Sequence, residues 1–328
     1  MSNLPTELIQ PEAGVDSTEI DADFDSVLLD LRDDEPAQPA KAGHLPLVDL
    51  YKEFVVEPGT RVHLGEIEPG YCAGYESRES AQPRLQLLLR KLDRLQYLMY
   101  AEKKHSLLIV FQGLDACGKD GVIRHILNGM NPAGCRLVGF KYPKPEELAH
   151  DFLWRIHPHL PAKGETSIFN RSHYEDVLVV RVHQFMQAST WAKRYELIND
   201  FEKLLSTENN TTVLKFFLYI SKDEQLARFR QRLEDPSRHW KISEADYKER
   251  VHWNRYTEAF EDMFHRTSTR FAPWFVIPSN HKWFRDLAVS EIVTRTLEGL
   301  DMKLPEPAVN IADIFRRYHA AEELSEPL

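Results

Sequence analysis

Hydrophobic and polar positions follow two different periods along the middle of the chain. From Arg84 to Met99, leucine and methionine side chains recur at intervals of three and four residues, which predicts a long amphipathic helix. Five short apolar runs of strand length follow at 107–112, 137–140, 166–169, 212–220 and 274–277. Helices are predicted between them near 119–129, 145–157, 190–206, 222–235, 243–265 and 283–300. Because alternating strands and helices require crossover connections, we predict an α/β fold whose parallel sheet of about five strands carries helices on both faces.

The two ends of the chain lack this pattern. Residues 1–43 hold eleven acids, two basic residues and four prolines, a composition that predicts a disordered extension. This extension contributes −9 to the formal net charge of −10, so the acidic balance says little about partners of the folded body. Residues 44–83 are predicted to be irregular. We expect one domain over 44–304 and a loosely attached tail over 305–328, with a short helix at 311–318.

Composition narrows the class of protein further. The chain has three cysteines, Cys72, Cys117 and Cys135, and their spacing matches no metal site, which favours a reduced compartment over a disulfide framework. No apolar run is long enough to cross a bilayer, and the N-terminus lacks the pattern of a signal peptide. We therefore expect a cytoplasmic protein without a membrane partner.

The apolar run 107–112 leads directly into the sequence Gly113-Leu-Asp-Ala-Cys-Gly-Lys119, which has the G-x-x-x-x-G-K spacing of a Walker A loop. Glycines let the backbone turn its N–H groups toward phosphate oxygens, while the following helix and the lysine add positive charge. The alternative is a glycine-rich turn without function, but the strand before it and the helix after it favour phosphate binding. The phosphate-binding residues predicted here are Gly113, Ala116, Cys117, Gly118, Lys119, Asp120 and Gly121.

Two acids depart from the usual form of this loop. Asp120 stands where Ser or Thr is usual, and Asp115 lies inside the loop, where phosphate would repel it unless a cation stood between them. We therefore interpret Asp115 as a ligand of Mg²⁺ or of a metal-bound water. For Asp120, a metal-site role and a charge that favours the helix N-terminus are equally consistent with the sequence.

A second polar cluster follows the strand at 166–169. Ligands of doubly wound sheets lie outside the carboxyl ends of the strands, so this segment should face the glycine-rich loop. The position that usually carries a metal-binding Asp is Asn170, and Glu175 and Asp176 can restore the missing charge from one turn further on. Arg171 offers a planar fork for phosphate, against the alternative of a surface ion pair. His173 is equally consistent with a ligand contact and with a structural hydrogen bond.

A basic helix is predicted over 222–235. Arg228 and Arg232 are four residues apart and share one helical face, and Lys241 follows in the same basic run. Such a run is often only a solvated face. Its place after the fourth strand of a P-loop kinase-like fold favours a helical lid, at about 222–255, that closes over phosphates.

Taken together, these motifs resemble those of the family-2 polyphosphate kinases. The resemblance extends over roughly 84–304, and its motifs, as they stand in this sequence, are Gly113-Leu-Asp-Ala-Cys-Gly-Lys-Asp-Gly121, Asn128-Gly-Met-Asn-Pro-Ala-Gly134, Phe169-Asn-Arg-Ser-His-Tyr-Glu-Asp-Val-Leu178, Lys215-Phe-Phe-Leu-Tyr-Ile-Ser-Lys-Asp-Glu-Gln225 and Ala272-Pro-Trp-Phe-Val-Ile-Pro278. Asn170 followed by Glu175 and Asp176 is similar to the class III pattern of that family, which phosphorylates both AMP and ADP from polyphosphate.

The resemblance implies a phosphotransferase that uses Mg²⁺, with Mn²⁺ as an alternative, and that forms a homotetramer. Its partners would be inorganic polyphosphate and AMP, ADP, ATP or other nucleotides, without nucleic acid. By position, Lys119, Asp115 and Arg171 would be catalytic, and Asp115 and Glu175 would hold the metal. The resemblance places Arg228, Arg232 and Lys241 on the polyphosphate path, and Asn131 with the segment 140–143 near the acceptor nucleotide.

Two other functions remain open from the residues. A nucleoside monophosphate kinase that uses ATP as donor would need the same fold and loop. A binding module for nucleotide or polyphosphate without turnover would also keep a basic cleft. Lys119, Asp115 and Arg171 argue against a degenerate site, and no Ser-His-Asp set or activated cysteine suggests other chemistry.

Overall fold

The apolar runs form one six-stranded sheet in the computed structural model, which describes residues 48–325. Its strands are β1 (Val55–Val56), β2 (Ser106–Gln112), β3 (Cys135–Gly139), β4 (Thr166–Asn170), β5 (Thr211–Tyr219) and β6 (Trp274–Pro278), in the order β1-β6-β5-β2-β4-β3. All neighbours are parallel except β1, which pairs antiparallel with β6 at one edge. The five predicted strands and their parallel arrangement are confirmed. The sixth, β1, has two residues and is too short to produce an alternating pattern.

Helices cover both faces of this sheet. They are α1 (Leu50–Phe54), α2 (Arg78–Glu102), α3 (Lys119–Leu127), α4 (Pro145–Leu148), α5 (Glu175–Val182), α6 (Ala188–Asn209), α7 (Lys222–Glu234), α8 (Glu244–Arg250), α9 (Trp253–Thr267), α10 (Lys282–Glu298) and α11 (Ile311–Ser325). Helix α11 runs beyond the predicted 311–318. None of the helices within 48–325 is both long and apolar enough to span a membrane. The predicted disorder of 1–43 lies outside the described residues, and the predicted boundaries of the domain stay predictions.

Two helix predictions are wrong in part, and one helix is not predicted. The stretch predicted as helical over 145–157 is helical only in α4, after which the Asp151 carboxylate accepts a hydrogen bond from the Leu153 amide at 2.9 Å. Such a local side-chain bond competes with continued helix. The stretch over 243–265 is two helices, since the helical hydrogen bonding is interrupted between α8 and α9. Helix α5 is not predicted from the sequence, because the polar residues before it and at its start are interpreted as site residues.

The central strand β2 is buried on both faces, and its side chains enter two separate cores. Leu107, Ile109 and Phe111 pack with α2, α3 and α10. Leu108 and Val110 pack on the opposite face with α5, α6 and α9. A strand covered on both faces needs apolar residues at every position, which is why 107–111 is a continuous apolar run.

This topology gathers three strand ends at one place. The chain leaves β2, crosses to β3, returns to β4, and then places β5 on the other side of β2. The carboxyl ends of β4 and β5 therefore lie on either side of the loop that follows β2, and such switch points are where ligands bind in parallel sheets.

The double burial of β2 generates a stability prediction. Ile109→Ala should lower the free energy of unfolding by roughly 3 kcal/mol, because Ile109 is fully buried and its truncation leaves a cavity. Denaturant titration followed by circular dichroism measures this. The matched control is Leu137→Ala on the edge strand β3, where 53% of the side chain is exposed; this variant should lose less than about 1 kcal/mol. Equal losses would contradict the burial.

Candidate active site

The loop 113–119 between β2 and α3, called here the glycine-rich loop, depends on two glycines with positive φ. Gly113 has φ +146° and Gly118 has φ +105°. A Cβ atom at Gly113 would lie 2.8 Å from both the Cys117 Sγ and the Leu218 carbonyl oxygen, and one at Gly118 would overlap the guanidinium of Arg285. The loop therefore excludes larger side chains at both positions, on backbone and steric grounds together.

Some of the loop's polar groups bond within the loop. The Cys117 amide donates to the Leu114 carbonyl at 3.2 Å, and the Cys117 side chain is fully buried in the core. The Cys117 side chain thus packs beneath the loop, and the predicted phosphate-binding role of Cys117 stays a prediction. The Lys119 ammonium group donates to the carbonyls of Gly113 at 2.7 Å and Leu114 at 3.3 Å, at the rim of the cleft.

Arg228 holds this loop from the lid side; it also lines the cleft, and its predicted place on the polyphosphate path stays a prediction. Its guanidinium donates to the carbonyls of Ala116 and Cys117, each at 2.9 Å. It also donates to the Ser279 carbonyl at 2.6 Å, the Asn280 carbonyl at 3.1 Å and the Glu224 carboxylate at 2.6 Å. With only 5% of the residue exposed, the guanidinium is committed to the protein. Arg228 joins α7, the loop and the end of β6.

Arg171 lies between the two carboxylates that were predicted to bind metal. It donates to Asp115 at 2.8 Å, and its other terminal nitrogen lies 3.4 Å from Glu175. The Glu175 carboxylate, followed by that of Asp115, raises the pKa of the Arg171 guanidinium above its ordinary value. Asp115 and Arg171 line the cleft, whereas Glu175 is outside its lining. The structure therefore places Glu175 behind Arg171, and its role as a metal ligand stays a prediction.

Asp120 and Asn170 each depart from the residue that is usual at their positions, and they contact each other. The Asn170 side-chain amide donates to the Asp120 carboxylate at 2.8 Å. The other oxygen of Asp120 lies 3.6 Å from the Lys241 ammonium group in the lid segment. An aspartate at position 170 could not donate this hydrogen bond. Asp120 thus bridges the strand end and the lid segment.

A third carboxylate in the cleft, Asp246 of α8, was missed. It accepts a hydrogen bond from Arg232 at 2.9 Å. The pKa of the Asp246 carboxyl is raised, mainly by its burial and in addition by the nearby Asp115 carboxylate. The sequence around Asp246 is rich in cations, and no local motif marks this acid as a site residue.

These groups line a single open cleft of about 850 Å³ at the carboxyl ends of the strands. The exposed rings of Tyr142 and Trp240 stand at its rim. Nine basic residues and three acids line it, an excess of positive charge in a chain whose net charge is −10. These residues are Lys119, Arg124, Lys141, Arg171, Arg228, Arg232, Arg238, Lys241 and Lys282 with Asp115, Asp120 and Asp246. Such a cleft fits a polyanion.

Two further predicted site residues lie elsewhere. His173 is fully buried, with its Nε2 atom 3.4 Å from a Glu202 oxygen, so it is structural. Asn131 caps a short 3₁₀ turn by accepting a hydrogen bond from the Ala133 amide, and it is outside the cleft lining. Arg285 of α10 was also missed, because nothing in the sequence of its helix sets it apart. Its place beneath the glycine-rich loop is seen only in the close approach of its guanidinium to Gly118 and Gly121.

Comparison with known protein families gives one match that covers most of the chain. The family model described as polyphosphate kinase 2 matches residues 75–305. Among solved structures, the polyphosphate kinase 2 of Arthrobacter aurescens TC1 is similar, with a TM-score of 0.77 and 39% identity. The match covers 81% of this chain and 95% of that one.

Two relatives match over nearly their whole length. The AMP/ADP-polyphosphate phosphotransferase of Meiothermus ruber is 48% identical over 257 residues, which is 78% of this chain and 96% of that protein. The ADP-polyphosphate phosphotransferase of Rhodopseudomonas palustris is 43% identical over 267 residues, covering 78% of this chain and 92% of that protein.

The different surroundings of the two arginines of α7 generate a prediction. Arg228→Met should lower the free energy of unfolding by about 3 kcal/mol, because it leaves four carbonyl oxygens and a carboxylate without their donor. Arg232→Met, one turn further on the same helix, should cost less than about 1 kcal/mol, since it removes one partly exposed ion pair. Thermal and urea unfolding of both variants tests this, and equal losses would show that Arg228 is not committed to the fold.

Proposed function

The chain belongs to the polyphosphate kinase 2 family, and we propose that it transfers a phosphoryl group from inorganic polyphosphate to AMP and to ADP, forming ADP and ATP. The observation that carries this proposal is the cleft at the glycine-rich loop, where nine cations surround a space large enough for two phosphorylated substrates. Donor and acceptor are both anions, so a site that binds them together must offset their mutual repulsion.

The chemistry asks for alignment and charge rather than for a base. The attacking phosphate oxygen of AMP or ADP is already ionised at neutral pH, so no proton has to be removed from it. Lys119 and Arg171, which both line the cleft, would bind the oxygens of the transferred group and stabilise the charge of the transition state. Arg232 and Lys241 of the lid segment, which also line the cleft, would hold the polyphosphate chain. Alignment of the two substrates supplies the rest of the rate enhancement.

Mg²⁺, with Mn²⁺ as an alternative, is part of the proposal. The donor set fits such an ion, because Asp115 presents a carboxylate to the cleft and the lid segment brings Asp246 near it. Within 48–325, no three His, Cys, Asp or Glu side chains converge on one point, so phosphate oxygens and water would complete the coordination. When bound, the ion would neutralise phosphate charge. Asp246 replaces Glu175 as the second proposed carboxylate.

The family membership and the names of the relatives favour this function over the two alternatives. A nucleoside monophosphate kinase that uses ATP would not require so extended a basic cleft. A binding module without turnover would not require Lys119, Asp115 and Arg171 together in the cleft. The homotetramer and the cytoplasmic location expected from the sequence stay predictions.

The direct test incubates the purified protein with ADP, polyphosphate and Mg²⁺, without added ATP, and measures ATP with luciferase. AMP in place of ADP should yield ADP, which chromatography detects. ATP formation that depends on polyphosphate is the expected result. Transfer from ATP to AMP without any transfer from polyphosphate would instead establish the nucleoside monophosphate kinase.

Lys119→Ala should lower this turnover by at least about a hundredfold, because a positioned charge at the transferred group is lost. Folding should be nearly unchanged, as circular dichroism would show. The control is Lys91→Ala, which removes an exposed lysine of α2 that pairs with Glu298 away from the cleft. A Lys119→Ala variant that keeps more than about a tenth of the turnover would exclude Lys119 from the chemistry.

The contact between Asn170 and Asp120 generates a charge-swap prediction. Asn170→Asp should lower activity by about tenfold or more, because it sets two carboxylates against each other at hydrogen-bond distance. The double variant Asn170→Asp with Asp120→Asn restores one amide and one carboxylate in reversed order. It should recover most of the activity. Steady-state kinetics of the two single variants and the double variant decide this, and additive losses would contradict a functional contact.

A further inference from the structure

A network of buried polar and charged side chains lies directly behind the Arg171 segment. At its centre is Lys215, in the middle of β5, with no exposed surface. Its ammonium group donates to the Glu202 carboxylate at 2.7 Å, the Tyr174 hydroxyl at 2.8 Å and the Thr267 carbonyl at 2.7 Å. The Tyr174 hydroxyl in turn donates to the other oxygen of Glu202 at 2.8 Å. All three donor positions of the lysine are therefore occupied.

Stability alone gives no reason for this arrangement. Lys215, Glu202 and Tyr174 are each fully buried among aromatic residues, with Trp274 packed edge-on against the Tyr174 ring. Transferring a lysine and a glutamate from water to the core usually costs more free energy than their electrostatic attraction provides. Apolar residues of similar size often stabilise the fold equally well. What such a network does provide is a fixed geometry for the backbone to which its members belong.

The backbone in question carries Arg171. Arg171 has φ +62°, a left-handed conformation that is unfavourable for a residue with a side chain. Before the turn, its amide donates to the Phe111 carbonyl of β2 at 3.0 Å. After the turn, Ser172 accepts hydrogen bonds from the Gln112 side chain at 3.1 Å and from the Tyr174 amide at 3.2 Å. The next hydrogen bond along the chain is the one that the Tyr174 hydroxyl donates to Glu202 in the buried network.

We propose that Lys215, Glu202 and Tyr174 are positioning residues for Arg171: they fix the segment 171–175 so that the Arg171 guanidinium stays between Asp115 and Glu175, aimed at the transferred phosphoryl group. The inference rests on the proposed function for the role of Arg171, but the network reaches no substrate itself. It acts through a buried hydroxyl three residues along the chain from the guanidinium.

This arrangement separates two tasks that one residue could not combine. A guanidinium that contacts phosphate has to be accessible, and 40% of the Arg171 side chain is exposed. An accessible side chain on a strained turn would sample several orientations, which lowers the rate of a reaction that requires alignment. The buried ion pair transfers the rigidity of the sheet to that turn.

The test uses Tyr174→Phe, which keeps the buried ring and removes only the hydroxyl. Turnover should fall about tenfold while the Michaelis constants for ADP and polyphosphate change less than about threefold, because alignment is lost and binding is kept. The matched control is Tyr195→Phe, at an equally buried tyrosine of α6 outside the network. This variant should keep the wild-type turnover.

A double-mutant cycle distinguishes positioning from general damage to the fold. In an Arg171→Ala background, adding Tyr174→Phe should change turnover less than about twofold, because the group to be positioned is already absent. A full further tenfold loss in that background would overturn the proposal, as would wild-type turnover in the single Tyr174→Phe variant. A wild-type protein without polyphosphate-dependent turnover would instead overturn the proposed function, with no bearing on the network.

Discussion

Mutual repulsion among the cations of the cleft is the constraint on which the site depends. Nine basic side chains around about 850 Å³ would drive one another apart unless counter-charges lay among them. Three carboxylates do this, and each pairs with a cation from a different part of the chain: Asp115 with Arg171, Asp120 with Lys241, and Asp246 with Arg232. Phosphate oxygens can take the place of these carboxylates one by one, so the site keeps its shape before a substrate arrives.

The unusual residues at two positions, Asp120 after the lysine and Asn170 at the strand end, illustrate how a site can change without losing its balance of charge. By itself, Asp120 adds a negative charge where a phosphate would bind. By itself, Asn170 removes a negative charge from the strand end. In the structure they form one hydrogen bond. The carboxylate therefore stands at the start of α3 instead of at the end of β4, and the side-chain amide of Asn170 holds it in place.

What could be predicted from the sequence was what depends on neighbours along the chain. The strand, loop and helix around Gly113 and Lys119 are local, since a continuous apolar run, tight turns and a helix start leave a recognisable pattern. The sheet followed from the alternation of elements. The places of Arg228, His173 and Glu175 could not be predicted, because each depends on contacts with distant segments. Arg228 and Arg232 share a helical face, yet only Arg228 faces the loop carbonyls and the end of β6.

Arg228 also limits how the lid segment can move. Helix α7 is fixed near its middle by four hydrogen bonds from Arg228 to carbonyl oxygens outside the helix, which oppose a swing of the helix about its first residue. The chain after Glu234, with the 3₁₀ turn Pro236–Lys241 and helix α8, lacks these bonds to the glycine-rich loop. This segment carries Lys241 and Asp246, which form ion pairs with Asp120 and Arg232, respectively. A displacement of this segment from the cleft would therefore have to break these two ion pairs, whereas the four carbonyl bonds from Arg228 to the loop and to the end of β6 would not have to break.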